Sequence, residues 1–473
     1  MKLTVENIGK IHRSEILLDG LTVIAGPNNS GKSTVGQALF ALANSQFNFP
    51  KKVMARNKRV IRQAIQDYLS ANEQQDYRIT RERRFSMGFQ AIDFISGEMS
   101  SYFLGANETV SESEVRNWLI LLLDKLTESE SDYPPRMRRS LIDIVNTLCN
   151  EDEQTVQLRT TCAKLFNDSE TAHRKYFAQK CFTELFGGQV ESVKCPEGES
   201  STVSLQTDDS TPRGIWIDFE SGICKSASAN LTSQEFVLFI DDPNLLDRLD
   251  DRLDRLISEQ ISIGMGATRY SKSKTSQFAD ALVRKMRDKT RVWTAEDHDK
   301  YKNDCQKIID VLADAHKGSI SSNDDGAVVL EEFDSNEQIL LSNVSVGVKA
   351  IELLKEMLKN GALDEDTFLV LDEPEIHLHP EWQIIYAHAL VMIADLLHTK
   401  IMVTTHSPYF LQAIDVYTAV HGKAEMVRTY TPREYSKTAV DFVEVSGADR
   451  QQILDKMAEP FEDLQQLLLQ HEL

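Results

Sequence analysis

The octapeptide Gly26-Pro27-Asn28-Asn29-Ser30-Gly31-Lys32-Ser33 has the spacing Gly-x4-Gly-Lys-Ser. Before it, Leu21-Thr22-Val23-Ile24-Ala25 is a short apolar, β-branched run, the pattern of a buried strand. After it, Thr34 to Ala43 has helical composition. A strand that ends in a glycine-rich turn and runs into a helix aims backbone N–H groups at phosphate oxygens. The helix start adds the positive end of its dipole. A side chain at Gly31 would obstruct that approach. In this P-loop pattern Lys32 is expected to reach the β- and γ-phosphates and Ser33 to ligate Mg²⁺. The expected nucleotide-binding residues are Gly26 and the run Asn28, Asn29, Ser30, Gly31, Lys32, Ser33, Thr34.

Three further patterns have a place in such a site. Leu369-Val370-Leu371 is a buried-strand run that ends in Asp372-Glu373, followed by Pro374. A carboxylate at a strand end beside a P-loop can hold the Mg²⁺ shell, and its neighbour can polarise an attacking water. Asp372 is therefore the expected metal ligand and Glu373 the expected general base. His406 ends the next apolar strand, Ile401 to Thr405, where its ring can face a γ-phosphate; Glu373, His406 and Lys32 form the expected catalytic set. Ser345-Val346-Gly347 opens a helix that leads into the Asp-Glu strand. A serine and a glycine at a helix start offer hydroxyl and N–H donors to an anion. Within one subunit that helix start is expected far from the P-loop, so its donors gain a purpose when a second subunit supplies them.

Working outward, the chain divides into an α/β head split between 1–44 and 326–425, an insertion over 45–325, and a strand and helix tail over 426–473. Strands alternating with helices in the head imply a mainly parallel sheet. The insertion reads as mostly helical, with a strand-rich patch near 201–240. Residues 51–84 are locally basic, with Lys51, Lys52, Arg56, Lys58, Arg59, Arg62, Arg78, Arg81, Arg83 and Arg84. They form either a solvated helical face or a nucleic-acid contact. Leu246, Leu249, Leu253 and Leu256 make a short a/d seam that packs on its own insertion or on a second chain.

The charge balance is acidic: 73 Asp and Glu against 52 Lys and Arg give −21. That argues against a surface coating nucleic acid nonspecifically, but leaves room for a local basic groove. No secretory signal follows Met1, and no run approaches the ~20 apolar residues of a membrane span. Six cysteines (Cys149, Cys162, Cys181, Cys195, Cys224, Cys305) form no CxxC pair, so metal-ligand spacing is missing and free thiols in a reducing cytoplasm are expected.

The four motifs in this order resemble ABC-type ATPases of the SMC/RecF/OLD group. The resemblance implies a P-loop NTPase fold, an ABC/SMC-head-like mixed sheet flanked by helices with a large, mainly helical insertion. It also implies ATP and Mg²⁺ as ligands and a dimer in which two heads sandwich two ATP molecules. Carried over, Ser345 and Gly347 contact the γ-phosphate in trans, and Glu375 to Pro380 lie where the heads meet. His377-x-His379 could be a metal pair as a bare pattern, but no third ligand stands nearby. The glutamine that lines the Mg²⁺ site in this group is not placed by the sequence. Ser345-Val346-Gly347 departs from the transporter pattern Ser-Gly-Gly, which favours the nontransporter branch.

The stretch Leu371-Asp372-Glu373-Pro374-Glu375-Ile376-His377-Leu378-His379-Pro380-Glu381-Trp382-Gln383, then Thr405-His406-Ser407-Pro408-Tyr409-Phe410-Leu411, is most similar to the Septu ATPase family (PtuA) of antiphage defence, including its retron-linked relatives. That resemblance implies a homo-oligomer controlling a separate HNH-type nuclease, with a retron reverse transcriptase and its nucleic acid as further partners. The alternative is a RecF/SMC-like DNA repair or maintenance ATPase that binds DNA directly. OLD enzymes carry a C-terminal Toprim nuclease, but no Asp-x-Asp follows His406. The chain itself is therefore expected not to be a nuclease.

Overall fold

A computed structural model describes residues 1–72, 81–105, 109–128, 133–192, 199–207, 213–230, 236–247, 274–287, 294–322, 328–333 and 337–470. The chain opens with β1 (Lys2–Ile8), β2 (Ile11–Leu17) and β3 (Leu21–Ala25), followed by helix α1 (Lys32–Gln46). Every residue of β3 is buried, as its mainly apolar, β-branched run requires, and the Thr22 hydroxyl donates to Leu17 O. Helices α2 (Phe49–Asn72), α3 (Arg81–Phe103), α4 (Glu112–Thr127), α5 (Pro135–Leu148) and α6 (Glu153–Phe166) come next, then α7 (Glu170–Leu185). Four strands follow: β4 (Ser201–Gln206), β5 (Gly214–Glu220), β6 (Ile223–Ala229) and β7 (Phe236–Ile240). Beyond them lie α8 (Lys274–Arg287), α9 (Ala295–Ala313), β8 (Gly318–Ser322), β9 (Val328–Glu332) and β10 (Gln338–Leu340). The remaining elements are α10 (Val346–Lys359), β11 (Thr367–Asp372), α11 (Pro380–Leu396), β12 (Lys400–Thr405), α12 (Pro408–Val420), β13 (Val427–Ser436), β14 (Ala439–Val445) and α13 (Gly447–Gln470).

One mixed sheet orders its strands β6-β5-β4-β1-β2-β14-β13-β3-β12-β11-β7. The segment β13-β3-β12-β11-β7 is parallel throughout. The flank β6-β5-β4-β1-β2 is antiparallel. The strand-rich patch near 201–240 therefore departs from the expected division: β4 pairs with β1 and β7 with β11, so both belong to the sheet that carries the P-loop. β13 and β14, expected in a tail, lie in the middle of the same sheet. Residues Met1–Phe47 and the described residues from Lys175 onward form one compact unit, and Asn48–Arg174 form a second.

The second unit is helical. Ile61, Ile95, Leu119, Leu141 and Val145 are buried in its core. A capping box starts α4, with the Ser111 hydroxyl accepting from Glu114 N and the Glu114 carboxylate accepting from Ser111 N. On α2 the basic residues meet acids of the same unit: Arg56 lies 3.1 Å from Asp168, and Asp93 takes Lys58 at 2.6 Å and Arg62 at 3.2 Å. Arg78 lies outside the described residues, as do the seam leucines Leu249, Leu253 and Leu256; Leu246 is buried.

In the first unit, Lys285 and Asp364 form a buried ion pair at 2.8 Å, and Asp364 also accepts from Thr367 Oγ1 at 2.6 Å. Lys285→Met removes the cation from a carboxylate that stays inside. A loss of about 3 kcal/mol in unfolding free energy is expected, read from the midpoint of chemical denaturation. Burial pushes the Cys162 thiol up to about 12 and the Cys224 and Cys305 thiols up to about 11. No helix among the described residues is long and apolar enough to cross a membrane.

Candidate functional site

The P-loop leaves the C-terminal end of β3, where Gly26 N still donates to Thr405 O of β12 at 3.2 Å. A Cβ at Gly26 would come within 2.6 Å of the Pro432 ring on β13, so only glycine fits. Gly31 turns the chain into α1 with φ +87°, and Asn29 holds φ +61°. Lys10, in the β1–β2 turn, donates to Asn29 O at 2.9 Å and Asn29 Oδ1 at 2.6 Å, which braces the loop. Along α1, a Cβ at Gly36 would lie 2.8 Å from both Val370 and Phe239, so glycine lets the helix press onto the sheet. Thr34 N bonds back to Gly31 O at 3.1 Å, and Asn28 is exposed. The buried Ser30 Oγ has no hydrogen-bond partner.

Lys32 is only 3% exposed. Its Nζ donates to Gly26 O at 3.0 Å and Pro27 O at 2.9 Å and lies 3.1 Å from Glu373 Oε1. The parallel register sets Asp372 opposite Thr404. Thr404 Oγ1 donates to Asp372 Oδ1 at 2.6 Å and accepts from Glu373 N at 3.0 Å. Glu373 N also donates to Thr404 O at 3.1 Å. These bonds hold Glu373 at φ +50°, a left-handed backbone that costs a non-glycine residue about 1 kcal/mol or more. Burial pushes the Asp372 carboxyl above its usual range, against hydrogen bonds from Thr404 and Ser33 that pull it down. A serine hydroxyl and a buried carboxylate held together in this way suit a hard cation such as Mg²⁺.

His406 Nδ1 lies 3.3 Å from Glu373 Oε2 and 3.7 Å from Glu375 Oε1. Glu373 is thus flanked on one oxygen by Lys32 and on the other by His406. The structure brings Lys32, Ser33, Asp372, Glu373 and His406 together. Among the described residues no hydrogen bond or ion pair joins Ser345 or Gly347 to the P-loop. Ser345 is the N-cap of α10, its Oγ accepting from Val348 N at 3.4 Å. Gly347 packs against the loop after β11, where a Cβ would come within 2.6 Å of His377 O. Gly347→Ala must displace that carbonyl. A loss of about 1–3 kcal/mol is expected, together with reduced ATP turnover, from paired denaturation and ATPase assays.

His379 Nδ1 accepts from Glu381 N at 3.4 Å as a helix cap. No cluster of three or more His, Cys, Asp or Glu side chains able to hold a metal occurs among the described residues. Sequence reasoning gave no role to Lys10 or Thr404, and gave Glu375 only a place in the loop where two heads would meet. Thr404 could have been found from strand register alone, since it stands one residue short of the strand end that carries His406. β7 runs beside β11 with Ile240 opposite Leu371, so the Asp241-Asp242 turn leaves the sheet next to Asp372. Acids, not a glutamine, follow that strand.

A family model described as AAA ATPase domain matches residues 1–411. Among solved structures, the SMC head domain from Thermotoga maritima aligns over 94% of this chain and 98% of its own at 11% identity, with a TM-score of 0.35. The Smc head domain with an extended coiled coil from Pyrococcus furiosus, bound to the C-terminal domain of ScpA, aligns over 96% and 98% at 10% identity, with a TM-score of 0.40.

Proposed function

The chain belongs to the AAA ATPase domain family, and we propose from that premise that it binds and hydrolyses ATP between two copies of itself to control a separate HNH-type nuclease in bacterial antiphage defence. The observation that carries the nucleotide part is the convergence of Lys32, Ser33, Asp372, Glu373 and His406 at the ends of three adjacent parallel strands. In this reading Lys32 turns from the Gly26 and Pro27 carbonyls to the β- and γ-phosphates, with loop N–H groups from Asn28 to Thr34 around them. Ser33 and Asp372 would hold Mg²⁺, which when bound would neutralise charge on the phosphate oxygens. Glu373 takes the proton of the attacking water, and His406 faces the γ-phosphate. Ser345 and Gly347 of a second copy close the site.

The defence assignment rests on the resemblance of Leu371 to Gln383 and Thr405 to Leu411 to the Septu ATPases. The net charge of −21 suits a basic partner better than DNA. Control of a nuclease requires that the partner bind one nucleotide state more tightly than the other. A retron reverse transcriptase with its nucleic acid is a further partner on the same resemblance. The rival reading, direct DNA binding through residues 51–84, is weakened because Arg56, Lys58 and Arg62 already meet acids of their own unit. A salt titration of DNA binding separates the two. A steep slope that disappears when Arg81, Arg83 and Arg84 are reversed supports the rival.

The direct test is reconstitution with any HNH-type nuclease whose gene is found to neighbour that of this chain. DNA cleavage should differ between ATP, ADP and a nonhydrolysable analogue. A nuclease that neither binds the chain nor responds to nucleotide contradicts the proposal.

A further inference from the structure

Glu375, on the loop after β11, is nearly inaccessible, at 1% exposure, and its side-chain hydrogen bonds come from a hydroxyl and a backbone N–H. One of its oxygens does all the bonding. Oε1 accepts from Thr405 Oγ1 at 2.5 Å and from His406 N at 3.0 Å, while Oε2 has no hydrogen-bond partner. Thr405 Oγ1 in turn accepts from Ser407 N at 3.0 Å. Gln383 of α11 closes the other side. Its Nε2 donates to Glu375 O at 3.3 Å and Leu378 O at 3.1 Å, and its Oε1 accepts from Ser407 Oγ at 2.7 Å. The loop after β11 and the turn after β12 are therefore stapled at two points, with His406 between them.

We propose that Glu375 is a positioning residue for ATP hydrolysis, acting through His406 on Glu373. The inference rests on the reading of Glu373 and His406 given above. By holding the His406 backbone and lying 3.7 Å from its Nδ1, Glu375 fixes the ring where Nδ1 stands 3.3 Å from Glu373 Oε2. Lys32 takes the other oxygen at 3.1 Å, so the general base stands between the lysine and the ring. Without the staple, the turn 405–407 can shift, and a catalytic group displaced by about 1 Å loses roughly 100-fold in rate. Burial pushes the Glu375 carboxyl above its usual range, towards the neutral acid whose shape a glutamine copies. A glutamine can accept the same two hydrogen bonds on Oε1.

The test is steady-state ATPase kinetics with a separate equilibrium measurement of ATP binding, on wild type, Glu375→Ala, Glu375→Gln and Thr405→Val. The alanine variant should lose about 30-fold or more in kcat while its Kd for ATP stays within about threefold. The glutamine variant should recover most of that loss. Thr405→Val keeps the shape but removes one donor, so it should fall between them; with the glutamine variant it decides the matter if the alanine protein does not fold. Wild-type kcat in the alanine variant, ATP binding that falls as far as kcat, or a glutamine variant no better than alanine would overturn the inference. A wild-type protein with no ATPase activity would sink the functional reading as well, so the two failures are told apart.

Discussion

Lys32→Ala is expected to lower ATP turnover by at least about 10³-fold and to weaken ATP binding with it. The lysine is 3% exposed and already desolvated, so its charge acts in a low-dielectric pocket where a phosphate interaction is worth far more than at the surface. Its Nζ meets two backbone carbonyls and one Glu373 oxygen. Alanine leaves Glu373 without that cation and adds no clash, so the fold should persist. Thermal stability separates loss of site from loss of fold. Wild type at ATP a hundredfold above Kd should gain about 2.7 kcal/mol, and the variant almost none. Wild-type turnover by the variant would contradict the P-loop assignment.

Glu373→Gln should lower kcat by about 10²–10⁴-fold while leaving ATP bound, and so accumulate an ATP-held dimer. Glutamine keeps the length of the side chain and tolerates φ +50° about as well as glutamate. It can still meet Lys32 with an oxygen and His406 with an amide hydrogen. What it cannot do is take a proton from water. If the dimer is closed by ATP and opened by hydrolysis, blocking that one step shifts the population. Native mass measurement with and without ATP reads it directly. An oligomeric state that ignores ATP in this variant defeats the shared site.

The parts of the fold legible in the sequence are those encoded locally. β3, the glycine turn and α1 are consecutive, so strand pattern, glycine spacing and helix composition identify them without knowing their neighbours. Asp372 and Glu373 were legible because a fully buried parallel strand is an unbroken apolar run with its acids at the end. The sheet's extent was not legible. Lys2 to Glu6 pair with residues around Val203, and nothing in either segment names its partner across that separation. β13 to β3 is the same problem from the C-terminal side. Thr404 and Glu375 were hidden for a related reason: their partners are on the adjacent strand. Their roles follow from register rather than from spacing along the chain.

The placement of Ser345 is the other half of the matter. Its hydroxyl caps α10 by accepting from Val348 N, and among the described residues it makes no hydrogen bond to the P-loop. A site completed by a neighbour predicts complementation between defective copies. Lys32→Ala lacks a working P-loop but keeps its serine, and Ser345→Ala has the reverse defect. Each alone should be inactive. Mixed in equal amounts, half of the dimers pair the two variants and each carries one intact site, so ATPase activity should return to about a quarter of wild type. No recovery, in a mixture where paired variants are verified by mass, would contradict a nucleotide held between two copies.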